Sequence, residues 1–251
     1  MVIGQIKKYW ETSTPMGFAP EKWEYERKRK FRYDLQNYMQ DVFRFNEYAG
    51  CEVLEVGCGS GIDAVEFARS GAIVTAVDIT DNAMILTKAL AEEAHVLNMK
   101  VEQVPADALP YKNNFFDLVY SFGVLHHIPN VEGALTEMKR VLKKGGKIMA
   151  MLYNRNSLLY AYSILHLHRH EHMEEADLVR IYSERIEDCP YTRAYTKEEA
   201  VALFTEMGFS DVTVSVHYNV VDLPGQRKVK LGLDDKWELG WHLVLKGIKR
   251  E

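Results

Sequence analysis

The sequence has few cysteines, and they are not arranged in pairs that would bind a metal or form a regular disulfide framework. Cys51, Cys58 and Cys189 are the three cysteines among 251 residues, and no CxxC spacing occurs. This pattern is typical of reduced thiols inside a cell rather than of a secreted disulfide scaffold. We therefore expect free cysteines and a cytoplasmic location.

Long apolar runs and an excess of basic residues are also missing. The opening residues, MVIGQIKKYWE, hold no apolar stretch long enough for a signal peptide, and no uninterrupted run approaches the ~20 residues that span a bilayer. The formal net charge is -5 at pH 7, whereas nucleic-acid binding requires a basic surface. We expect no membrane or nucleic-acid partner, and the sequence leaves the oligomeric state open.

The pattern that is present begins near residue 51, where short apolar strands alternate with helices. Five strands are predicted, in the segments CEVLEVG, AIVTAVDIT, KVEQVPAD, FFDLVYSFG and KIMAMLYN, with helices at 62–71, 81–98 and 131–146. Apolar strands separated by helices predict an α/β fold with a doubly wound, mostly parallel sheet covered on both faces.

The segments on either side of this alternation have a different character. A short helix at 1–12, a loop at 13–20 and a long helix at 21–45 precede it. Residues 155–195 are helical or irregular and form an insertion after the fifth strand. A helix at 196–208, with Thr196 as its cap and Gly208 as its stop, then leads into two strands joined by a loop that contains Pro224 and Gly225. The two strands predict an antiparallel pair at the sheet edge.

Three glycines stand where the first strand passes into a helix, in VLEVGCGSGID at 53–63. Such a turn at the carboxyl edge of a doubly wound sheet is a ligand site. A dinucleotide requires G-x-G-x-x-G, because the third glycine allows the helix to pack closely on the strand. Ile62 occupies that third position. The pattern therefore disfavours a dinucleotide-binding oxidoreductase, which remains the alternative from another class, together with an enzyme-like binding protein.

The same segment, written E-x-G-x-G-x-G from Glu55 to Gly61, resembles the first motif of the class I S-adenosylmethionine-dependent methyltransferases. Asp78 ends the second strand, Asp107 and Ala108 follow the third, and 116–128 and 142–151 resemble the family's fourth- and fifth-strand segments. The resemblance covers 50–153 by motif and the C-terminal part by topology. It implies a Rossmann-like seven-stranded sheet of order 3-2-1-4-5-7-6.

The resemblance also implies a division of the chain and a cofactor. The parts are a helical cap at 1–48, a core at 49–153 that binds S-adenosylmethionine, a helical lid at 154–195, and a C-terminal helix with an antiparallel strand pair at 196–251. The cap and the lid flank the carboxyl edge of the sheet, where aromatic side chains of the cap would wall the site. These aromatic residues are Tyr9, Trp10, Phe18, Trp23, Tyr25 and Tyr33.

By this resemblance, Asp78 would hold both ribose hydroxyls through charge-assisted hydrogen bonds, and Asp107 would meet the adenine amino group. Asp78 as a helix cap and Asp107 as a plain turn acid are the structural alternatives. A Tyr or Arg of the segment ERKRKFRYD, which is otherwise a solvated helix face, would reach the cofactor carboxylate; Arg32 and Tyr33 are further candidates for this contact. The residues expected to bind the cofactor are Tyr25, Arg29, Glu55, Gly57, Cys58, Gly59, Gly61, Asp78, Ile79, Asp107, Ala108, Ser121 and Phe122.

His126 and His127 follow the fourth strand, where the family's acceptor pocket lies, and histidine titrates near neutral pH. A phenol or ammonium acceptor would need such a base, whereas a carboxylate would not; packing is the alternative role for both residues. Tyr153 and Arg155 end the fifth strand, and Arg193 stands beside the following helix.

Two arginines near one pocket would bind a carboxylate acceptor. We therefore expect methyl transfer to oxygen of a small molecule or peptide, with carboxylate favoured and nitrogen or carbon acceptors as alternatives.

The segment HLHRHEH at 166–172 spaces two histidine pairs one helical turn apart. Two ligands on one face can hold zinc, but the sequence fixes no acid or cysteine partner for them. We expect a solvated or lid-facing helix at this position and no metal.

Overall fold

The computed structural model describes residues 2–12, 24–184, 188–223 and 225–250, without the side chain of Arg227. The predicted loop at 13–20 and the start of the predicted helix at 21–23, with Phe18 and Trp23, lie outside the described residues. The α-helices are α1 Val2–Thr12, α2 Tyr25–Leu35, α3 Met39–Phe43, α4 Ile62–Arg69, α5 Asp81–Glu93, α6 Val131–Val141, α7 Glu175–Tyr182 and α8 Lys197–Glu206. The strands are β1 Glu52–Val56, β2 Ile73–Asp78, β3 Met99–Gln103, β4 Phe116–Phe122, β5 Leu142–Tyr153, β6 Phe209–His217, β7 Val220–Leu223, β8 Gln226–Lys230 and β9 His242–Lys249.

Seven of these strands form one sheet in the order β3-β2-β1-β4-β5-β9-β6. The pairs from β3 to β5 are parallel, and β9 is antiparallel to both β5 and β6. The predicted fold class and strand order are confirmed; the predicted seventh strand is β9. Because β1, β2, β4 and β5 run in parallel, their carboxyl ends meet at one edge of the sheet.

The sheet is buried on both faces, as a doubly wound fold requires. Successive residues of β4 alternate between two hydrophobic clusters: Leu118 and Tyr120 pack on one face, and Val119 on the other. The first cluster includes Phe67 of α4 and the second includes Phe204 of α8. This alternation follows from the two-residue period of a strand.

Local sequence signals mark where several helices begin or end, as expected. Thr80 caps α5 through its side chain, which accepts from the N–H of Ala83. Thr196 and Glu199 form a capping box at the start of α8. Gly208 has a φ of 81° just after that helix, a conformation that glycine adopts without strain.

Several predicted element boundaries are wrong, among them the end of the helix predicted at 81–98, which ends at Glu93. The single helix predicted over 21–45 is two helices, because Gln36 leaves the helical conformation and the turn buries Met39 and Phe43 completely. The helix predicted to reach the glycines at 145–146 ends at Val141, since Leu142 is extended and pairs with Phe116 of β4.

The segment predicted as a loop between the last two strands also differs, since its described residues include a hairpin of two strands, β7 and β8. Val220 and Val221 of β7 are buried. The Asp222 N–H donates to the Ser163 hydroxyl at 2.7 Å, in a π-helix at Leu159–His166. The hairpin therefore packs on the segment that follows β5.

Helix α1 lies against the start of α5. The Glu11 carboxylate accepts from the N–H groups of Asp81 at 2.7 Å and Asn82 at 3.0 Å, and Lys7 pairs with Asp81 at 3.2 Å. The side chain of Ile6, in α1, is buried. The division of the chain into cap, core, lid and C-terminal part stays a prediction.

Candidate functional site

A cavity of about 440 Å³ opens at the carboxyl ends of β1, β2, β4 and β5. Its volume is within the usual range for small-molecule sites. Ten of the predicted site residues line it: Glu55, Gly57, Cys58, Gly59, Asp78, Ile79, Asp107, Phe122, His127 and Tyr153. The structure places the other predicted residues outside its wall: Tyr25, Arg29, Gly61, Ala108, Ser121, His126, Arg155 and Arg193.

The three loop glycines all have positive φ angles, 78° at Gly57, 54° at Gly59 and 80° at Gly61. A β-carbon on Gly57 would lie 2.2 Å from a methyl of Val124, and one on Gly61 would lie 2.6 Å from a methyl of Thr87. Backbone conformation and packing within the protein therefore account for Gly57 and Gly61, and Gly61 supports the loop from behind the wall.

Asp78 faces the cavity at the end of β2 and is held by its neighbours. It accepts from the Gly59 N–H at 3.0 Å, the Thr80 N–H at 3.0 Å and the Thr80 hydroxyl at 2.9 Å. A carboxylate has about four acceptor positions, so these three bonds fix the group and leave capacity for a further donor. Burial raises the pKa of Asp78 from its ordinary value.

Glu55 lies at the end of β1 with only 3% of its surface exposed. Its Oε2 atom has no hydrogen-bond partner among the described residues. Burial raises the pKa of Glu55 well above its ordinary value, and the neighbouring Asp63 raises it further. A buried acidic oxygen without a partner, at a cavity wall, is a position for a donor or a cation on a ligand.

Helix α2 carries four candidates for the contact with the cofactor carboxylate: Tyr25, Arg29, Arg32 and Tyr33. Of these four, Arg32 lines the cavity. It donates to Asp63 at 2.6 Å in a buried ion pair, and its guanidinium lies 4.4 Å from the centre of the Phe122 ring. The two hydroxyls of Tyr33 and Tyr120 also donate to Asp63, at 3.1 and 2.9 Å. Asp63 thereby ties α2 to α4 and β4.

Tyr25 and Arg29 turn away from the cavity because another acid of α4 binds them. Arg29 makes two bonds of 2.6 Å to Glu66, and the Tyr25 hydroxyl donates to Glu66 at 3.2 Å. Asp63 and Glu66 are three residues apart and share a helix face. Ser121 is also engaged elsewhere, since its hydroxyl donates to the Val56 carbonyl at 3.0 Å, and Ala108 is exposed beyond the wall.

His127 lines the cavity beyond β4, and its two ring nitrogens differ. Nδ1 lies 3.1 Å from the Tyr191 carbonyl oxygen and 3.1 Å from the Thr192 hydroxyl. Nε2 has no hydrogen-bond partner among the described residues and lies 3.5 Å from Glu184 Oε1. Burial lowers the pKa of His127 from its ordinary value, so the imidazole is neutral at pH 7.

His126 is completely buried behind the wall, stacked at 3.7 Å on the Tyr153 ring. Neither ring nitrogen has a hydrogen-bond partner in the described part of the chain. Burial lowers the pKa of His126 well below its ordinary value, and His127 and His242 lower it further. His126 therefore packs beneath the site and does not face a ligand.

The two arginines expected to bind the acceptor are engaged outside the cavity. Arg155 pairs with Glu199 at 2.7 Å, and the Arg193 guanidinium lies 4.6 Å from the centre of the Tyr195 ring. Tyr153 does line the cavity, and its hydroxyl donates to Glu184 Oε1 at 2.6 Å.

Several wall residues were not expected from the sequence: Glu184, Tyr218, Lys228 and His242. Glu184 comes from the insertion and Tyr218 from between β6 and β7, whereas Lys228 lies in β8 and His242 begins β9. No motif or periodicity marked them. Trp10, an expected aromatic wall, lies with its ring 4.9 Å from the His127 ring.

The cavity wall carries more acidic than basic groups among the described residues. Its carboxyl groups are those of Glu55, Asp63, Asp78, Asp107 and Glu184, and its cations are Arg32 and Lys228. Arg32 already pairs with Asp63. Such a wall suits a cationic ligand better than a pyrophosphate, which carries negative charge.

The histidine-rich segment at 166–172 is occupied by local contacts. His168 pairs with Glu171 at 2.6 Å and stacks on Tyr182, and Arg169 donates to the His166 carbonyl at 2.7 Å. Within the described ranges, no group of three or more His, Cys, Asp or Glu side chains could hold a metal ion. None of the described helices is both long and apolar enough to cross a bilayer.

Residues 54–150 match the family described as a methyltransferase domain. A ubiquinone biosynthesis O-methyltransferase from Acinetobacter baylyi is 30% identical over 118 residues, which cover 47% of this chain and 50% of that relative. The chain thus spans about half the length of the curated relatives it matches.

Solved structures share the fold over most of the chain. A methyltransferase from Methanosarcina mazei matches with a TM-score of 0.62 at 22% identity, covering 84% of this chain and 97% of its own. A possible histamine N-methyltransferase from Thermotoga maritima matches with a TM-score of 0.59 at 19% identity, covering 90% and 95%. Residues 54–150 of this chain are thus similar to a methyltransferase domain, and the chain shares its fold with solved methyltransferases.

Proposed function

We propose that the protein transfers a methyl group from S-adenosylmethionine to an oxygen of a small-molecule acceptor. The single observation that carries the methyltransferase activity is the acidic cavity, in which Glu55 Oε2 is a buried acceptor without a partner. S-adenosylmethionine bears a sulfonium and an ammonium, both of which suit such a wall. A dinucleotide would bring phosphates instead, which argues against the oxidoreductase alternative.

The residues that would hold the cofactor lie in the half of the cavity built on β1, β2 and β3. Asp78 would accept from the ribose, Glu55 would face the amino-acid end, and Ile79 and Asp107 would border the adenine. When bound, S-adenosylmethionine supplies a methyl group already activated by its sulfonium sulfur. The protein's task is then to align the acceptor and to exclude water.

His127 supports an oxygen acceptor that must lose a proton. His127 lines the cavity, and its Nε2 lacks a hydrogen-bond partner among the described residues. With the ring proton on Nδ1, Nε2 carries a lone pair. A hydroxyl would donate its proton to Nε2, and the O–H electron pair would stay on the oxygen as the nucleophile. The name of the curated relative, an O-methyltransferase, agrees with an oxygen acceptor.

The acceptor favoured by the sequence, a carboxylate, has less support than a hydroxyl. That expectation rested on Arg155 and Arg193, which are engaged outside the cavity. A nitrogen acceptor has one observation in its favour, the Glu184 carboxylate in the wall. Trp10 and Ile6 of α1 border the cavity, which favours a small molecule over a peptide. The cytoplasmic location expected from the free cysteines is part of this proposal, and cell fractionation tests it.

Calorimetry with S-adenosylhomocysteine and with NAD tests the cofactor class. We expect tight binding of S-adenosylhomocysteine alone, and binding of NAD alone would refute the proposal. Labelled S-adenosylmethionine incubated with phenols, carboxylic acids and amines then tests the acceptor by mass spectrometry. We expect one methyl group to appear on hydroxyl compounds; methylation of amines or carboxylates alone would exclude the hydroxyl.

A further inference from the structure

We infer that Glu184 is a positioning residue that sets the proton state of His127 and stabilises the cation formed when His127 accepts a proton. The inference rests on the proposed function, in which His127 acts as the base. Glu184 belongs to the insertion after β5, where no sequence motif marks it. Its side chain is 12% exposed and reaches the cavity wall beside His127.

The contacts of Nδ1 are the basis on which we assign the tautomer of His127. Nδ1 lies 3.1 Å from the Tyr191 carbonyl oxygen, which can only accept, and 3.1 Å from the Thr192 hydroxyl, which can accept or donate. A ring proton on Nδ1 suits both contacts. Nε2 therefore presents a lone pair. The atom it faces, Glu184 Oε1 at 3.5 Å, is also an acceptor.

Tyr153 determines what Glu184 can do. Its hydroxyl donates to Glu184 Oε1 at 2.6 Å, and burial raises the pKa of Tyr153 well above its ordinary value, so the phenol keeps its proton. The Tyr153 bond holds the carboxylate in place and leaves it negative. His127 Nε2 and Glu184 Oε1 are thus two acceptors that face each other with no proton between them.

A proton delivered to this pair completes it. When an acceptor hydroxyl gives its proton to Nε2, the imidazole becomes a cation whose charge lies about 3.5 Å from a carboxylate oxygen. Opposite charges at such a distance stabilise each other strongly where solvent is excluded. The acceptor oxygen keeps the electron pair of the broken O–H bond, so charge and protons balance.

Other groups near His127 act on its charge as well. Lys228 disfavours the cation, and Glu184 favours it. The titratable and charged groups that face His127 are Glu184, Lys228, His126, Cys189 and Tyr153. Glu184 is the anion among them, since burial also raises the pKa of the Cys189 thiol, to about 11.

The direct test is the pKa of His127, measured by ¹⁵N NMR of the histidine side chains in protein saturated with S-adenosylhomocysteine. A His127→Gln variant assigns the signal. In the wild type we expect the neutral ring to carry its proton on Nδ1. In Glu184→Gln the pKa should fall by about one pH unit or more, because the neighbouring negative charge is lost.

Glu175→Gln is the matched control. Glu175 accepts from the Tyr160 hydroxyl, so it forms a second Tyr–Glu pair, one that does not line the cavity. This variant should leave the pKa of His127 unchanged. An unchanged pKa in Glu184→Gln, or a proton on Nε2 of the neutral ring, would overturn the inference. If Glu184→Gln fails to fold, Glu184→Asp, which keeps the charge but retracts it, should lower the pKa by a smaller amount.

Kinetics separates this role from two others. With a hydroxyl compound found by the mass-spectrometric assay, Glu184→Gln should lower kcat about tenfold and move the acidic limb of the rate profile to lower pH. A change in KM alone, or an effect seen only with amine acceptors, would instead identify Glu184 as a substrate contact and refute the inference. The NMR result stands without any acceptor and is also measurable without the nucleoside, so a failure of the proposed function is distinguishable from a failure of this inference.

Discussion

The two halves of the cavity hold their polar groups in different ways. In the half built on β1 and β2, main-chain amides and a buried ion pair fix the acids: three bonds hold Asp78, and Arg32 holds Asp63. In the half beyond β4, the nitrogens of His126 and Nε2 of His127 lack partners among the described residues. The first half is therefore part of the protein's stability, although Glu55 Oε2 in it also lacks a partner among the described residues. In the second half, His126 is buried behind the wall, and His127 is the wall residue that could take part in proton chemistry.

The largest effect should follow from breaking the ion pair of the first half. Arg32→Met leaves Asp63 charged and buried, which should cost about 3–5 kcal/mol in the free energy of unfolding. Lys30→Met is the control, because the side chains of Lys30 and Asp34 are both exposed and their pair should contribute about 1 kcal/mol or less. Urea unfolding measures both, and equal losses would contradict the comparison.

Removing the Asp78 carboxylate should weaken cofactor binding more than stability. We expect Asp78→Ala to reduce the affinity for S-adenosylhomocysteine about 100-fold, because charge-assisted hydrogen bonds are worth about 1.5–3 kcal/mol each. Calorimetry measures the change. Asp211→Ala, at an exposed pair with Arg250, should bind normally. An affinity unchanged in Asp78→Ala would mean that Asp78 serves only to hold the loop.

A pair of glycine variants separates backbone strain from crowding in the loop. Gly57 and Gly145 have similar φ angles, 78° and 76°. A β-carbon meets Val124 at 2.2 Å in Gly57→Ala but meets nothing within 4 Å in Gly145→Ala. Both variants carry the strain of a positive φ, so we expect Gly57→Ala to be less stable by a further amount of about 1–3 kcal/mol. Thermal and urea unfolding measure the difference, and similar losses would show that the loop yields to the added atom.

The smallest effect concerns pH and belongs to the second half. The pKa of His126 is lowered well below its ordinary value, so the folded protein keeps this ring neutral while the unfolded chain binds a proton below about pH 6.5. Stability is therefore complete above that pH and falls below it, by up to about 1.4 kcal/mol per pH unit. His126→Phe should make the dependence shallower in unfolding curves measured across this range. An unchanged slope would mean that His126 takes up a proton in the folded state.

The sequence predicted the half of the cavity whose residues are close together along the chain. The glycine loop, Asp78 and Asp107 follow consecutive strands, and the order of parallel strands fixes where their carboxyl ends meet. Arg32 was harder to choose among its neighbours, because the competition between Asp63 and Glu66 for the side chains of α2 is set by packing.

The other half of the cavity could not be predicted, because its residues are far apart along the chain. Glu184 and Tyr218 come from irregular segments, whereas Lys228 and His242 come from strands β8 and β9. The contacts that bring these four residues together are long-range. His126 is buried behind the cavity wall and His127 lines it, and this difference depends on a single turn after β4, which residue type does not encode. Arg155 and Arg193 were expected at the site because arginine suits anions, but Glu199 and the Tyr195 ring bind them locally.

Helix α1 has a consequence for the timing of turnover. Its Ile6 and Trp10 form part of the cavity wall, and Glu11 and Lys7 attach it to the first turn of α5 near the surface. Contacts of this kind are worth about 1 kcal/mol or less each. We therefore expect lifting α1 to cost less than unfolding the sheet, and we expect the residence time of a molecule in the cavity to depend on this surface contact.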